Sequence, residues 1–135
     1  MTGLAYSWPL QQAVFDRLST ESAVTTQAQV FDAVPSSVAV DVDYITLGTE
    51  DAKMRPEGEI CSVRFDIVVH SPAPGFARAK AIAAAVTSAL DAAPLVIAGA
   101  RLLNLRFERA RAARGRGMER RRITLTYHAL IAADG

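Results

Sequence analysis

At 135 residues, 50% apolar and 21% charged, the chain suits one domain with a real core and is too apolar for whole-chain disorder. Its single cysteine, Cys61, excludes an intrachain disulfide framework, and no apolar run reaches the roughly 20 residues that a membrane span needs. The net charge of +1 conceals a division: residues 1–59 hold nine acids against three bases, net −6, and residues 60–135 hold twelve bases against five acids, net +7. Separated signs allow head-to-tail stacking, unless neighbouring elements mix the charges in space.

Met1–Ser7 reads as a loose start, without the basic region and apolar run of a signal peptide, so synthesis in the cytoplasm is expected. Pro9 suits the first turn of a helix over residues 9–19, with Ser7 as its cap. Leu10, Val14 and Leu18, four apart, form its apolar stripe. Trp8 either staples the start or sits at a subunit contact. Thr20–Gln29 is polar, with room for a short helical turn. Val30–Val34 is a brief β-prone run stopped by Pro35, and Pro35-Ser36-Ser37 is a turn. Val38–Gly48 is β-rich, most clearly over Tyr44–Gly48. Asp41 and Asp43 alternate with apolar residues there, as in an exposed or edge strand. Thr49–Glu59 reads as a long polar connection, in which Glu50, Asp51, Lys53 and Arg55 form a candidate interface loop.

The centre of the chain is clearer. In Ile60–His70, Cys61, Val63, Phe65, Ile67 and Val69 share one face of a strand. Ser71–Gly75 breaks it. Phe76–Ala93 is an alanine-rich helix whose Phe76, Ala79, Ile82, Val86, Leu90 and Ala93 recur at steps of three and four. Pro94 ends it, and Leu95–Gly99 is a tight, strand-like piece. Arg101–Arg111 and Glu119–Ile131 then form a hairpin. Folding about Gly115 sets Phe107 opposite Ile123, Leu105 opposite Leu125 and Leu103 opposite Tyr127, to within a two-residue slip. Around its tip lie Arg109, Arg111, Arg114, Arg116, Arg120, Arg121 and Arg122, offset only by Glu108 and Glu119. The class is α+β: a mainly antiparallel sheet of four to five strands covered by two helices, with a projecting basic β-hairpin, all in one domain spanning residues 1–135. Phe65, Ile67, Ile82, Val86, Leu105, Leu125 and Tyr127 are the expected core.

No catalytic residue, cofactor site or metal site is expected. His70 and His128 lack partners at metal-ligand spacing. Asp41 and Asp43 lack a third ligand. Cys61 lies on the buried face, no serine sits in a Gly-x-Ser-x-Gly elbow, and Arg-Gly-Arg-Gly at 114–117 is not a phosphate loop. The arginine-rich arm points to a protein partner or to non-specific contact with DNA phosphates. Its lack of aromatics argues against stacking on single strands.

The order of these signals is specific. Val30-Phe31-Asp32-Ala33-Val34-Pro35 follows a helix ending in Leu18-Ser19. Then come Tyr44-Ile45-Thr46-Leu47-Gly48, Phe65–Ser71, Gly75–Ile82 and Arg101–Phe107. Over residues 9–130 the pattern resembles the small tail-completion, or tail terminator, proteins of long-tailed phages and of phage-like gene transfer agents. The resemblance implies a structural virion protein without enzymatic activity. It implies a homo-hexameric ring at the head–tail junction that caps the tail tube and ends its polymerisation. The tube protein would lie on one side, the head connector or stopper protein on the other, and double-stranded DNA would pass through the channel. The basic arm departs from the family pattern. A small basic DNA-binding module without sequence preference is the competing expectation.

Overall fold

A computed structural model describes residues 4–32, 42–56, 59–114 and 120–133. In chain order the elements are α1 (Leu4–Thr20), α2 (Ser22–Thr25), β1 (Gln29–Phe31), β2 (Tyr44–Met54), β3 (Ile60–Ser71), α3 (Ala77–Asp91), β4 (Ala100–Arg114) and β5 (Arg121–Ala133). The strands make one sheet in the order β1-β2-β3-β5-β4. All neighbours are antiparallel except β1 and β2, which run parallel. α1 packs against β1 and β2, and α3 lies over β3 and β5. The class is therefore α+β, with the four-residue α2 as a third helix.

β3 is central because both its faces and both its edges are used. Cys61, Val63, Phe65, Ile67 and Val69 are all buried toward the helices. Burial raises the Cys61 thiol pKa, which keeps it a core group rather than a nucleophile. α3 answers with Ala79, Ile82, Val86 and Leu90, and Ala83 and Ala89 let it sit close to its neighbours. Phe76 caps the start of α3, and Ala93 is exposed beyond its end. α3 has no basic residue in its last turn. Arg17 of α1 supplies that charge: its guanidinium donates to the carbonyls of Ala89 and Ala93 at 2.9 Å and of Pro94 at 3.2 Å. One side chain thereby satisfies orphan carbonyls and opposes the negative end of the helix dipole.

Several boundaries differ from the sequence reading. α1 is already helical at Leu4, so Pro9 lies inside it. The apolar stripe extends back to Tyr6, four residues before Leu10, and its burial offsets the hydrogen bond that Pro9 cannot make. The Thr49–Glu59 connection is mostly strand, because β2 runs on to Met54. β1 flanks only Tyr44–Thr46, so the rest of β2 is an edge, where charged residues are tolerated and discourage unwanted pairing. A bulge between Leu47 and Glu50 keeps this strand in step with β3. Leu95–Gly99 is irregular: Leu95 and Ile97 are buried, and Gly99 turns the chain into β4 at φ +75°. Ala33, Val34 and the 35–41 segment lie outside the described residues.

The hairpin exists, but in another register. Phe107 faces Tyr127, Leu105 faces Ala129 and Leu102 faces Ile131. Relative to folding about Gly115, Phe107 meets a residue four places further along. Two bulges in β4, between Leu102 and Asn104 and between Phe107 and Arg109, reduce the shift from five places at Arg114–Arg121 to three at Ala100–Ala133. They also set Leu102, Leu105, Phe107, Ala110 and Ala112 on one side of β4, opposite the core-facing residues of β5. Leu103 falls at a bulge and is exposed. Of the expected core, Phe65, Ile67, Ile82, Val86, Leu125 and Tyr127 are buried, whereas Leu105 is only half-buried, because it belongs to an edge strand.

Candidate functional site

The helices cover one face of the sheet. The other face is polar, and it gathers most of the arginines. Cross-strand partners point to the same side, so rows run across this open face: Arg64, His128 and Arg106; Asp66, Thr126 and Arg109; Val68, Thr124 and Arg111; His70, Arg122 and Ala113. A shallow groove of ≈ 380 Å³ lies here, lined by Thr46, Gly48, His70, Arg111, Arg122 and Thr124 among others.

Hydrogen bonds hold the middle of this face. Asp66 accepts from Thr126 Oγ1 at 2.7 Å and from Thr49 Oγ1 at 2.8 Å. Arg64 grips Glu108 with two nitrogens, at 2.7 and 3.3 Å. That fork, above all its hydrogen bond, holds the Glu108 carboxyl below its ordinary pKa. Ser62 Oγ and His128 Nε2 share a further hydrogen bond. His70 Nε2 lies 3.1 Å from Thr46 Oγ1, and the ring stacks on Tyr44 with centroids 4.3 Å apart. Burial, helped by Arg122 and Arg120, lowers the His70 pKa to about 4. His128 is lowered as well, first by burial and then by Arg64. Both imidazoles are therefore biased toward the neutral form and toward structural hydrogen bonding.

The arginines expected at a free tip divide among several environments. β3 pairs with β5 as far as Arg121, so the hairpin strands belong to the sheet down to Arg114 and Arg121. Arg109, Arg111 and Arg122 lie on the open face and are exposed. Arg114 ends β4 opposite Arg121 and is exposed. Arg120 sits 5.0 Å over the Tyr44 ring and donates to the Val42 carbonyl at 2.9 Å. Arg121 is buried, with its guanidinium 5.5 Å from the Phe76 ring centroid. Partners within the chain thus account for these two. Arg116 lies outside the described residues. Sequence reading missed Arg64 and Arg106 as members of the basic face. The signal was available in the β3 alternation Cys61–Val69, which leaves Arg64 on the other face, and in the β4 apolar spacing 102, 105, 107, 110, 112, which leaves Arg106 on the alternate side.

The expected interface loop is likewise redistributed. Glu50 lies opposite Phe65 on the helix side and accepts a hydrogen bond from Ser7 Oγ of α1. Asp51 and Lys53 pair with Arg64 and Ser62 on the open face, while the Arg55 backbone N–H closes the turn to Ile60 O at 2.8 Å. Asp41 lies outside the described residues, and Asp43 forms an ion pair with Arg78 at 3.0 Å. Among the described residues no group of three or more His, Cys, Asp or Glu side chains can hold a metal ion. No helix among them is long and apolar enough to cross a membrane.

The described residues thus form a small sheet-and-helix unit with a hydrogen-bonded, charged open face, and its class follows from its likeness to known proteins. The sequence model of the tail completion protein gp17 family matches residues 12–132, and the chain belongs to that family. A solved chain from the "Virion of native gene transfer agent (GTA) particle" is similar at 38% identity and a TM-score of 0.81, over 96% of this chain and 98% of that one. No curated protein matches. The chain is a structural virion component of the phage and gene-transfer-agent kind, and not an enzyme.

Proposed function

We propose that this chain is the tail terminator of its particle. Six copies form a ring at the head–tail junction. The ring caps the tail tube, stops addition of tube protein and receives the head connector or stopper. Double-stranded DNA passes through its channel. One observation carries this reading beyond the family: the strand order β1-β2-β3-β5-β4 puts the acidic first half of the chain and the basic hairpin at opposite ends of one sheet. A closed ring needs two different, complementary patches on each copy, and a molecule polarised end to end supplies them. Counting copies in purified particles tests the ring. One or two copies per particle would remove it.

The basic face meets a protein partner in this reading. Arginine forks pair rigidly with carboxylates, as Arg64 already does with Glu108. A channel that gripped DNA strongly would also resist passage of the genome. Replacing Arg109, Arg111, Arg114 and Arg122 with serine leaves the stacked Arg120 and Arg121 in place. The expected result is tails that are unterminated or not joined to heads. Joined particles that fail only to retain or deliver DNA would assign the arginines to nucleic acid, whose contact weakens steeply with salt. Wholly normal particles would make them ordinary solvated charges. The loop residues Glu50, Asp51, Lys53 and Arg55 belong to the same proposal as contributors from the β2 edge. A chain that bound DNA as a free module, with no copy in the particle, would support the competing DNA-binding reading.

A further inference from the structure

β4 (Ala100–Arg114) is the outer strand of the sheet and pairs only with β5 among the described residues. Along its other edge alternate residues turn their N–H and C=O groups outward, with no ladder to receive them. Every residue from Arg106 to Ala112 is exposed. The side chains of this bare edge are sorted. Leu105, Phe107, Ala110 and Ala112 stand opposite Ala129, Tyr127, Leu125 and Ile123 on the helix side. Arg106, Arg109 and Arg111 stand opposite His128, Thr126 and Thr124 on the open side. The bulge at Glu108 absorbs one residue and keeps both sets in step, so the three arginines recur roughly 7 Å apart. Arg109 and Arg111 make no hydrogen bond or ion pair among the described residues. Arg106 comes within 3.8 Å of Glu108, a carboxylate that Arg64 already holds at 2.7 Å.

Because the arginines and the apolar side chains of β4 point to opposite faces, no single surface laid on the sheet meets both. A strand added along the edge does, since its own side chains alternate in the same way. On the open side the cross-strand partners that suit Arg106, Arg109 and Arg111 are carboxylates. On the helix side the suitable partners are apolar. A groove of ≈ 310 Å³ lies there beside the end of α3, lined by Leu90, Leu95, Leu102 and Leu105 together with Asp91. Asp91 repels further acid, so the carboxylates of an added strand belong on the open side alone. The free edges of this chain do not match that pattern. A second β4 would set arginines against arginines, and the free part of β2 offers one acid and one base to the open side, Asp51 and Lys53.

We infer that the free edge of β4 takes up an extended segment of another protein of the particle as a sixth strand. Carboxylates at alternate positions of that segment meet Arg106, Arg109 and Arg111, and the residues between them are apolar. This rests on the reading above, in which the basic face meets a protein, and names the chemistry that the face selects.

The test uses the soluble full-length chain and a short labelled peptide alternating valine and glutamate. A peptide of the same composition with its glutamates in one block should bind about tenfold more weakly. The alternating peptide should also slow amide hydrogen exchange within Leu105–Ala112. Only one set of alternate peptide nitrogens faces β4. Methylating the valine nitrogens or the glutamate nitrogens should therefore abolish binding in one case and spare it in the other. Equal binding by the two methylated peptides would overturn the inference. As a variant, Arg106→Glu, Arg109→Glu and Arg111→Glu together change exposed positions, and circular dichroism checks that the fold is kept. This protein should prefer a peptide alternating valine and lysine, and a retained preference for glutamate would overturn the inference. No preference for the alternating peptide, with unjoined tails in the arginine-to-serine particles above, would overturn strand addition and leave the protein contact standing. Joined particles that fail only to retain or deliver DNA would overturn both.

Discussion

The two faces of β5 show how one strand serves two purposes. Ile123, Leu125, Tyr127, Ala129 and Ile131 point into the core. Arg122, Thr124, Thr126 and His128 point the other way, into a layer of hydrogen bonds and charge. Backbone alternation forces the two sets apart. Stability is concentrated on the helix side, where apolar surface leaves water. The open side is held by Asp66 with its two hydroxyl donors and by the Arg64–Glu108 fork, and otherwise presents arginines to whatever approaches. Fold and function are thus written on alternate residues.

That division can be broken most directly from the helix side. Phe65→Ala removes a buried ring stacked on Tyr127 at 5.7 Å and should cost about 3–5 kcal/mol in denaturant unfolding. Wild-type stability would show that this face does not carry the fold.

The pH dependence probes the open side. The folded-state pKa of His70, about 4, lies below the ordinary value of 6.5. The unfolded chain therefore binds the proton first as pH falls. Stability from this group is fully present above pH ~6.5 and is lost on descent toward pH ~4. His70 is partly exposed, so solvent screening reduces the effect to about 1–2 kcal/mol. His70→Gln should flatten this slope in a stability–pH series, leaving a remainder from His128, which is shifted in the same direction. An unchanged slope would place the titration elsewhere.

Tyr127 sharpens the comparison, because it is a polar group on the apolar side. Its hydroxyl is buried with no hydrogen-bond partner among the described residues, and burial raises its pKa. Tyr127→Phe removes that desolvated group at almost no change in shape, and should raise stability by about 1 kcal/mol. A loss of stability would reveal a partner for the hydroxyl. The smallest expected effect belongs to the exposed arginines. Arg109→Ser and Arg111→Ser should each change unfolding free energy by less than about 0.5 kcal/mol. A larger loss would mean that the open face supports the fold as well as its partners.

By itself the sequence determined the elements whose signals are local. The alternation Cys61–Val69 and the three-and-four spacing Ala79–Leu90 hold in the structure because burial on one face needs only the period of one element. The α+β class and the family resemblance follow from the order of such elements along the chain. Tertiary structure decided what depends on distant partners. Pro9 reads as a helix start, but burial of Tyr6 carries α1 past it. The polar run at residues 49–54 reads as loop, yet β3 offers it a strand partner and its other edge is open. The register of β4 on β5 is already five places from the Gly115 fold where Arg114 meets Arg121, and two bulges then break the very period from which register is read. For the same reason seven neighbouring arginines looked like one arm, when strand alternation sends Arg122 to the open face and Arg121 into a buried stack on Phe76.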